Sequence, residues 1–167
     1  MITVSVSLPD YLAQWANFRL EARSIDNRMI ICPVKGSPVA QFLRNYLRHK
    51  KDRPLHQAEP KKKGAIIENV TEVYLTVPHF PGRDPQYYNY LSPVAEAQLR
   101  DLIRSRFDIE LYSDFSKFKN VNTPTSEFIF SWLDSNGIEP TEKNWLAVDK
   151  RLQLLRRRAA DRIRKRK

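Results

Sequence analysis

The stretch Ile2-Thr3-Val4-Ser5-Val6-Ser7-Leu8-Pro9-Asp10-Tyr11-Leu12 decides the fold class, because its hydrophobic period changes partway along. Ile2, Val4, Val6 and Leu8 alternate with Thr3, Ser5 and Ser7, the pattern of a half-buried strand. Pro9 then falls where a first helical turn tolerates proline, and Leu12, Trp15, Ala16 and Leu20 share one helical face. A strand feeding a helix predicts an α+β protein. Further along, the apolar run Arg28–Val34 reads as a second extended piece. Ser37-Pro38 is a cap followed by a first-turn proline, and Val39, Phe42, Leu43, Tyr46 and Leu47 trace an amphipathic helix behind it. Residues 1–48 are thus expected to form a β-α-(β)-α segment.

Residues 49–64 contain little that can be buried, end near Lys61-Lys62-Lys63, and read as a basic linker. Residues 65–167 follow as an extended segment plus a helical bundle. Val73, Leu75 and Val77 alternate within the extended Ala65–Val77, and the prolines of residues 78–85 then break regular structure. Ser92-Pro93 opens a helix with Ala95, Leu99, Leu102 and Ile103 as its buried stripe. A separate short helix over 108–118 would carry Ile109, Leu111, Tyr112, Phe115 and Phe118. Thr123-Pro124 opens another, with Phe128, Ile129, Trp132 and Leu133 on one face and Gly137 at its end. The last helix starts near Pro140-Thr141, with a seam of Trp145, Val148, Leu152, Leu155, Ala159 and Ile163.

The charge is polarised along the 167 residues. Residues 1–63 carry 12 Lys/Arg against 5 Asp/Glu, a net +7. Residues 64–149 carry 7 against 13, a net −6, and residues 150–167 carry 10 against 1, a net +9. Basic charge gathered in this way is the footprint of a polyanion partner, double-stranded DNA first and RNA second. No apolar run nears the about 18 residues of a membrane span, so no membrane partner is expected. The N-terminus lacks the basic-then-apolar order of a signal peptide, and the single Cys32 leaves no disulfide framework. Together these features predict a cytoplasmic protein.

Two segments, Ile2–Leu12 and Lys35-Gly36-Ser37-Pro38-Val39-Ala40-Gln41-Phe42-Leu43-Arg44-Asn45-Tyr46-Leu47, resemble the ribbon-helix-helix family of DNA-binding proteins. In that family the N-terminal strands of two copies pair and enter the major groove, and the start of the second helix holds a phosphate. The resemblance implies Thr3, Ser5 and Ser7 as base readers, Gly36 and Ser37 as the phosphate clamp, and a homodimer through the N-terminal strand. The chain departs from the family between the helices, where Glu21 to Lys35 replaces a turn of a few residues. The alternative is a β-α-β-α core in which Thr3 and Ser5 are a solvated strand face.

The C-terminal half offers a second candidate, a helix-turn-helix-like bundle whose reading helix runs from Asn144 to Arg158. Lys143, Lys150, Arg151, Arg156, Arg157 and Arg158 would contact phosphates, and Asn144 or Gln153 would reach a base edge. Arg162, Arg164, Lys165, Arg166 and Lys167 would add affinity and salt dependence. Catalysis is not expected. His49, His56 and His79 form no metal-ligand spacing, no Gly-rich phosphate loop exists, and no cofactor or metal is implied. Asp101, Asp108 and Glu110 suggest a magnesium cluster, but a solvated acidic surface is the commoner arrangement.

The loop His79–Tyr90 holds three tyrosines and Arg83. These either stack on unpaired bases or pin the loop onto the helical bundle, and pinning is the expectation. Finally, Tyr87–Pro93, Ile103–Leu111 and Asn144–Val148 resemble an uncharacterised family carried by transposable prophages and related mobile elements of bacteria. The resemblance implies no site residues, only a context. The combined expectation is a non-catalytic DNA-binding regulator or accessory factor of a mobile element. The alternative is an interaction protein whose basic tail binds a protein partner or RNA.

Overall fold

The computed structural model describes residues 1–53, 70–118 and 124–165 and shows an α+β protein. β1 (Thr3–Pro9) runs directly into α1 (Asp10–Arg19). Pro9 is both the last strand residue and the helix N-cap, at φ −54° and ψ 144°. Its ring fixes a φ that strand ends and helix entries share. At the other end of α1, Glu21 takes a left-handed φ of 52°, and the Ala22 amide donates to the Asn17 carbonyl at 2.8 Å. This stop usually uses glycine.

The expected second extended piece is β3 (Arg28–Ile31), and it pairs with a strand that the sequence pattern does not announce, β2 (Arg23–Ile25). Asp26 and Asn27 join them at φ 49° and 60°. Two successive positive φ values make the type I′ turn that suits the twist of a hairpin. α2 (Pro38–Tyr46) starts as its sequence predicts, with the Ser37 hydroxyl accepting the Ala40 amide at 3.2 Å. Val39, Ala40, Leu43 and Leu47 are buried. Phe42 and Tyr46 do not join that core; their rings stack on each other with centroids 4.4 Å apart, and Tyr46 stays exposed.

β4 (Val70–Thr76) holds the sheet together, in the order β1-β4-β3-β2. It pairs antiparallel with β1, from Thr3 opposite Thr76 to Pro9 opposite Val70, and parallel with β3. Parallel neighbours need a crossover, and α2 lies in the connection between β3 and β4. Val4, Val6 and Leu8 of β1, Val73 and Leu75 of β4 and Ile31 of β3 form the buried strand face, with Leu12, Trp15 and Ala16 of α1 also in the core. Thr71 fixes the strand to the helix start through a 2.6 Å hydrogen bond from its hydroxyl to the Asp10 carboxylate.

The boundary expected over 49–64 therefore does not divide the protein, because β4 beyond it completes the sheet begun before it. Two compact units are present, Met1–Leu102 and Ile103–Lys167, and the division falls inside α3 (Pro93–Phe118). Residues 54–64 of the expected linker, 65–69 of the expected strand and Thr123 lie outside the described residues. α3 is one helix of 26 residues where a break before 108 was expected. It has no glycine, and no proline after Pro93, to stop it. Its buried residues step by four: Ala95, Leu99, Ile103, Phe107, Leu111 and Phe115. Leu102, expected in the buried stripe, is only half-buried, and Ile109 is 70% exposed.

In the second unit, the end of α3 packs with α4 (Thr125–Ser135) and α5 (Glu142–Arg164). Phe107 meets Trp132 edge-on at 5.3 Å, and Phe115 meets Phe128 at 5.4 Å. Trp132 is half of a second link, its indole N–H donating to Asp114 at 3.2 Å. Gly137 closes α4 at φ 65°, and the Ile138 amide reaches back to the Leu133 carbonyl at 2.9 Å. Of the seam expected along α5, Val148 and Leu152 are buried, whereas Ile163 is 63% exposed.

Two substitutions test this account by urea denaturation. Leu75→Ala empties a fully buried site on the central strand and is expected to cost about 3 kcal/mol. Glu21→Gly relieves a left-handed residue that carries a Cβ and is expected to stabilise by about 1 kcal/mol.

Candidate nucleic-acid interface

α5 is made of two parts with different surroundings. Its start is packed: the Thr141 hydroxyl accepts the Asn144 amide at 3.2 Å, and Asn144, Val148 and Leu152 are buried. Beyond Leu152 the helix continues to Arg164, with Leu155 and Ala159 half-buried and most other side chains exposed. Such a helix presents its outer face to solvent along its whole length.

The cations expected to bind nucleic acid are sorted by this packing. Lys143, Lys150, Arg157 and Arg164 are all exposed and recur every seventh residue. Seven residues are nearly two helical turns, so the four lie along one side and drift only about 20° per step. The row spans about 31 Å at 1.5 Å per residue, close to the about 34 Å of one duplex turn. Arg158, Arg162 and Lys165 are also exposed, on other sides of the helix, and Asp161 is the one acid after Leu152. The seven-residue spacing is present in the sequence and is the signal that picks these cations out of the basic run.

Three expected contacts are placed elsewhere. Asn144 is 4% exposed, and its amide nitrogen donates to the Glu139 carbonyl at 2.9 Å, so it secures the helix start and does not face a base. Arg151 forms a two-pronged pair with Asp108; its Nε donates to Oδ1 at 2.7 Å and a terminal nitrogen donates to Oδ2. Both side chains are less than one-fifth exposed, which makes this a tie between α3 and α5 and removes Arg151 from the phosphate set. Arg156 lies over the Phe115 ring, 5.3 Å from its centroid. Arg166 and Lys167 lie outside the described residues.

In the first unit, Thr3, Ser5 and Ser7 occupy the sheet face opposite the core, across from Thr76, Tyr74 and Glu72. Ser5 is exposed, and Thr3 and Ser7 are half-buried. The Tyr74 hydroxyl donates to Glu72 at 2.8 Å, and that carboxylate holds the phenol above its ordinary pKa. A carboxylate beside Ser7 makes this row a poor host for phosphate. β1 is an edge strand whose Ser7 amide donates to Glu96 of α3 at 3.3 Å, so a second copy adding to that edge would meet a side chain already seated there. At the clamp, Gly36 has φ 84°, and the Ser37 amide donates to the Val34 carbonyl at 3.0 Å. With the Ser37 hydroxyl on the Ala40 amide, that residue's donor and cap are both engaged within the turn.

The expected acidic cluster is likewise tied up: Asp108 by Arg151, and Glu110 by Arg106 at 3.4 Å. Among the described residues no group of three or more His, Cys, Asp or Glu is placed to hold a metal ion. Nor, among them, is any helix long and apolar enough to cross a membrane. No protein-family model, curated protein or solved structure matches the chain.

The two kinds of arginine on α5 separate in a stability measurement. Arg151→Ala strands the Asp108 carboxylate in a mostly buried place and is expected to cost about 2 kcal/mol. Arg157→Ala, at an exposed position, is expected to stay within about 0.5 kcal/mol.

Proposed function

We propose that this is a non-catalytic DNA-binding protein, a regulator or accessory factor of a prophage or other mobile element, which holds duplex phosphates along the outer side of α5. The row Lys143, Lys150, Arg157 and Arg164 carries the reading. Its length suits one turn of duplex, and all four side chains are exposed. Arg158, Arg162 and Lys165 add exposed positive charge around the same part of the helix. Binding of this kind is dominated by counterion release, so it is strong at low salt and tolerant of sequence. The mobile-element context rests on the sequence resemblance alone.

A second reading, a protein partner for the basic helix, is supported by one feature. A groove of about 630 Å³ runs between the end of α3 and the second half of α5. Tyr112, Phe115, Ala159 and Ile163 give it an apolar lining, with Arg156 and Arg157 at its polar side.

Ending the chain at Leu155 tests the DNA reading. It removes eight cations and one acid while keeping the buried Val148 and Leu152. The salt slope of duplex binding should fall by about 0.9 for each phosphate that the shortened chain no longer neutralises, several units in all. Affinity within about twofold of the full chain at about 100 mM salt, a change of about 0.4 kcal/mol, would sink the DNA reading. Circular dichroism establishes that the shortened chain is folded.

A further inference from the structure

The segment after α2 and the loop between β4 and α3 close on each other within the first unit. Arg48 and Tyr90 exchange both backbone hydrogen bonds, at 2.9 and 3.3 Å, and the Lys50 amide donates to the Tyr87 carbonyl at 2.7 Å. Arg83 adds a 2.6 Å hydrogen bond from its guanidinium to the Arg44 carbonyl at the end of α2. The Tyr-rich loop is therefore pinned, as its sequence suggests, but onto residues 44–50 and not onto the helical bundle.

This clasp displays rings instead of burying all of them. Tyr90 is the buried anchor, at 9% exposure, while Tyr87 is 47% exposed. The His49 ring lies parallel to Tyr87 at 5.9 Å, with 6° between the planes, and meets Tyr88 edge-on at 5.4 Å. The Lys50 ammonium is 5.2 Å from the centre of Tyr87, and the Arg83 guanidinium is 5.8 Å from that of Tyr88. Residues 44–53 and 80–91 together carry six Lys or Arg against Asp52 and Asp84. The Asp84 carboxylate is engaged locally, accepting the Gln86 amide at 2.8 Å.

A half-exposed ring beside a parallel ring, with the ammonium of a flexible lysine over it that a phosphate can draw aside, has the chemistry of a base-stacking platform. A paired, stacked base inside a duplex has no free face to offer such a ring, whereas an unpaired base does. The local excess of positive charge favours a polyanion over a neutral peptide. We propose that this surface binds an unpaired nucleic-acid strand, with Tyr87 stacking on a base and Lys50 and Lys51 holding the flanking phosphates. The site lies in the first unit and is independent of the duplex reading for α5.

The test uses the full chain and fluorescence anisotropy, with a labelled DNA strand of about 12 nucleotides, an RNA strand of the same sequence, and a duplex. Tyr87→Ala is expected to weaken strand binding about tenfold, the loss of one base stack, and to leave duplex binding unchanged. Tyr87→Phe keeps the ring and should keep the affinity. Lys50→Gln, at an exposed side chain, should lower the salt slope for the strand by about 0.7. Tyr87-dependent binding in either strand arm supports the proposal, and the tighter arm identifies the sugar. Two results would overturn it: no strand binding at about 50 mM salt, a condition that favours phosphate contacts, or strand binding that survives Tyr87→Ala and Lys50→Gln but disappears when the chain ends at Leu155. Absence of duplex binding alone would remove the α5 reading and leave this one standing.

Discussion

The first unit depends on the insertion of β4 between β1 and β3. β1 does not pair with the β2–β3 hairpin that follows it; β1 and β3 each pair with β4. Val73 and Leu75 fill the middle of the buried face, and Thr71 ties its end to α1. A central strand supplied from beyond α2 means that the early residues cannot complete their hydrogen bonds until more than 20 later residues have been laid down. Closing such a non-local pairing carries a loop-entropy cost that local hairpins avoid.

Much of this is legible in the sequence because single residues carry it. The alternation of Val4, Val6 and Leu8, the Ser37-Pro38 helix start and the Gly137 stop each state a local preference that the fold keeps. What escapes is non-local or chemically muted. Residues 49–64 look like a boundary by composition, yet composition says nothing of which strands meet across them. β2 is only three residues long, and its turn uses Asp26-Asn27 without glycine, so its signal is weak. A separate helix over 108–118 is expected from the sequence, but a four-residue stripe from Ala95 to Phe115 passes through Phe107 without a break.

The candidate interface is legible as charge and not as geometry. A basic run in a sequence does not say which cations are spoken for. Packing assigns Arg151 to Asp108 and Arg156 to Phe115, while the side chains of the seven-residue row are exposed. Asn144 illustrates the opposite error. A polar residue at the start of a charged helix invites a recognition role, but its position three residues after Thr141 makes it part of the cap. The aromatic loop is anchored, as its composition suggests, yet the same anchoring that buries Tyr90 holds Tyr87 out in solvent.

The fading of the α5 seam after Leu152 has a consequence for how its basic half is maintained. A helix must first form a costly nucleus, with a cooperativity parameter of about 10⁻³ that corresponds to about 4 kcal/mol, before propagation adds one hydrogen bond per residue. The capped and buried turns from Thr141 to Leu152 supply that nucleus from tertiary contacts. The exposed turns beyond them need only propagate, against the mutual repulsion of their own cations. A polyanion that neutralised those cations would remove the repulsion and so stabilise the exposed turns up to Arg164.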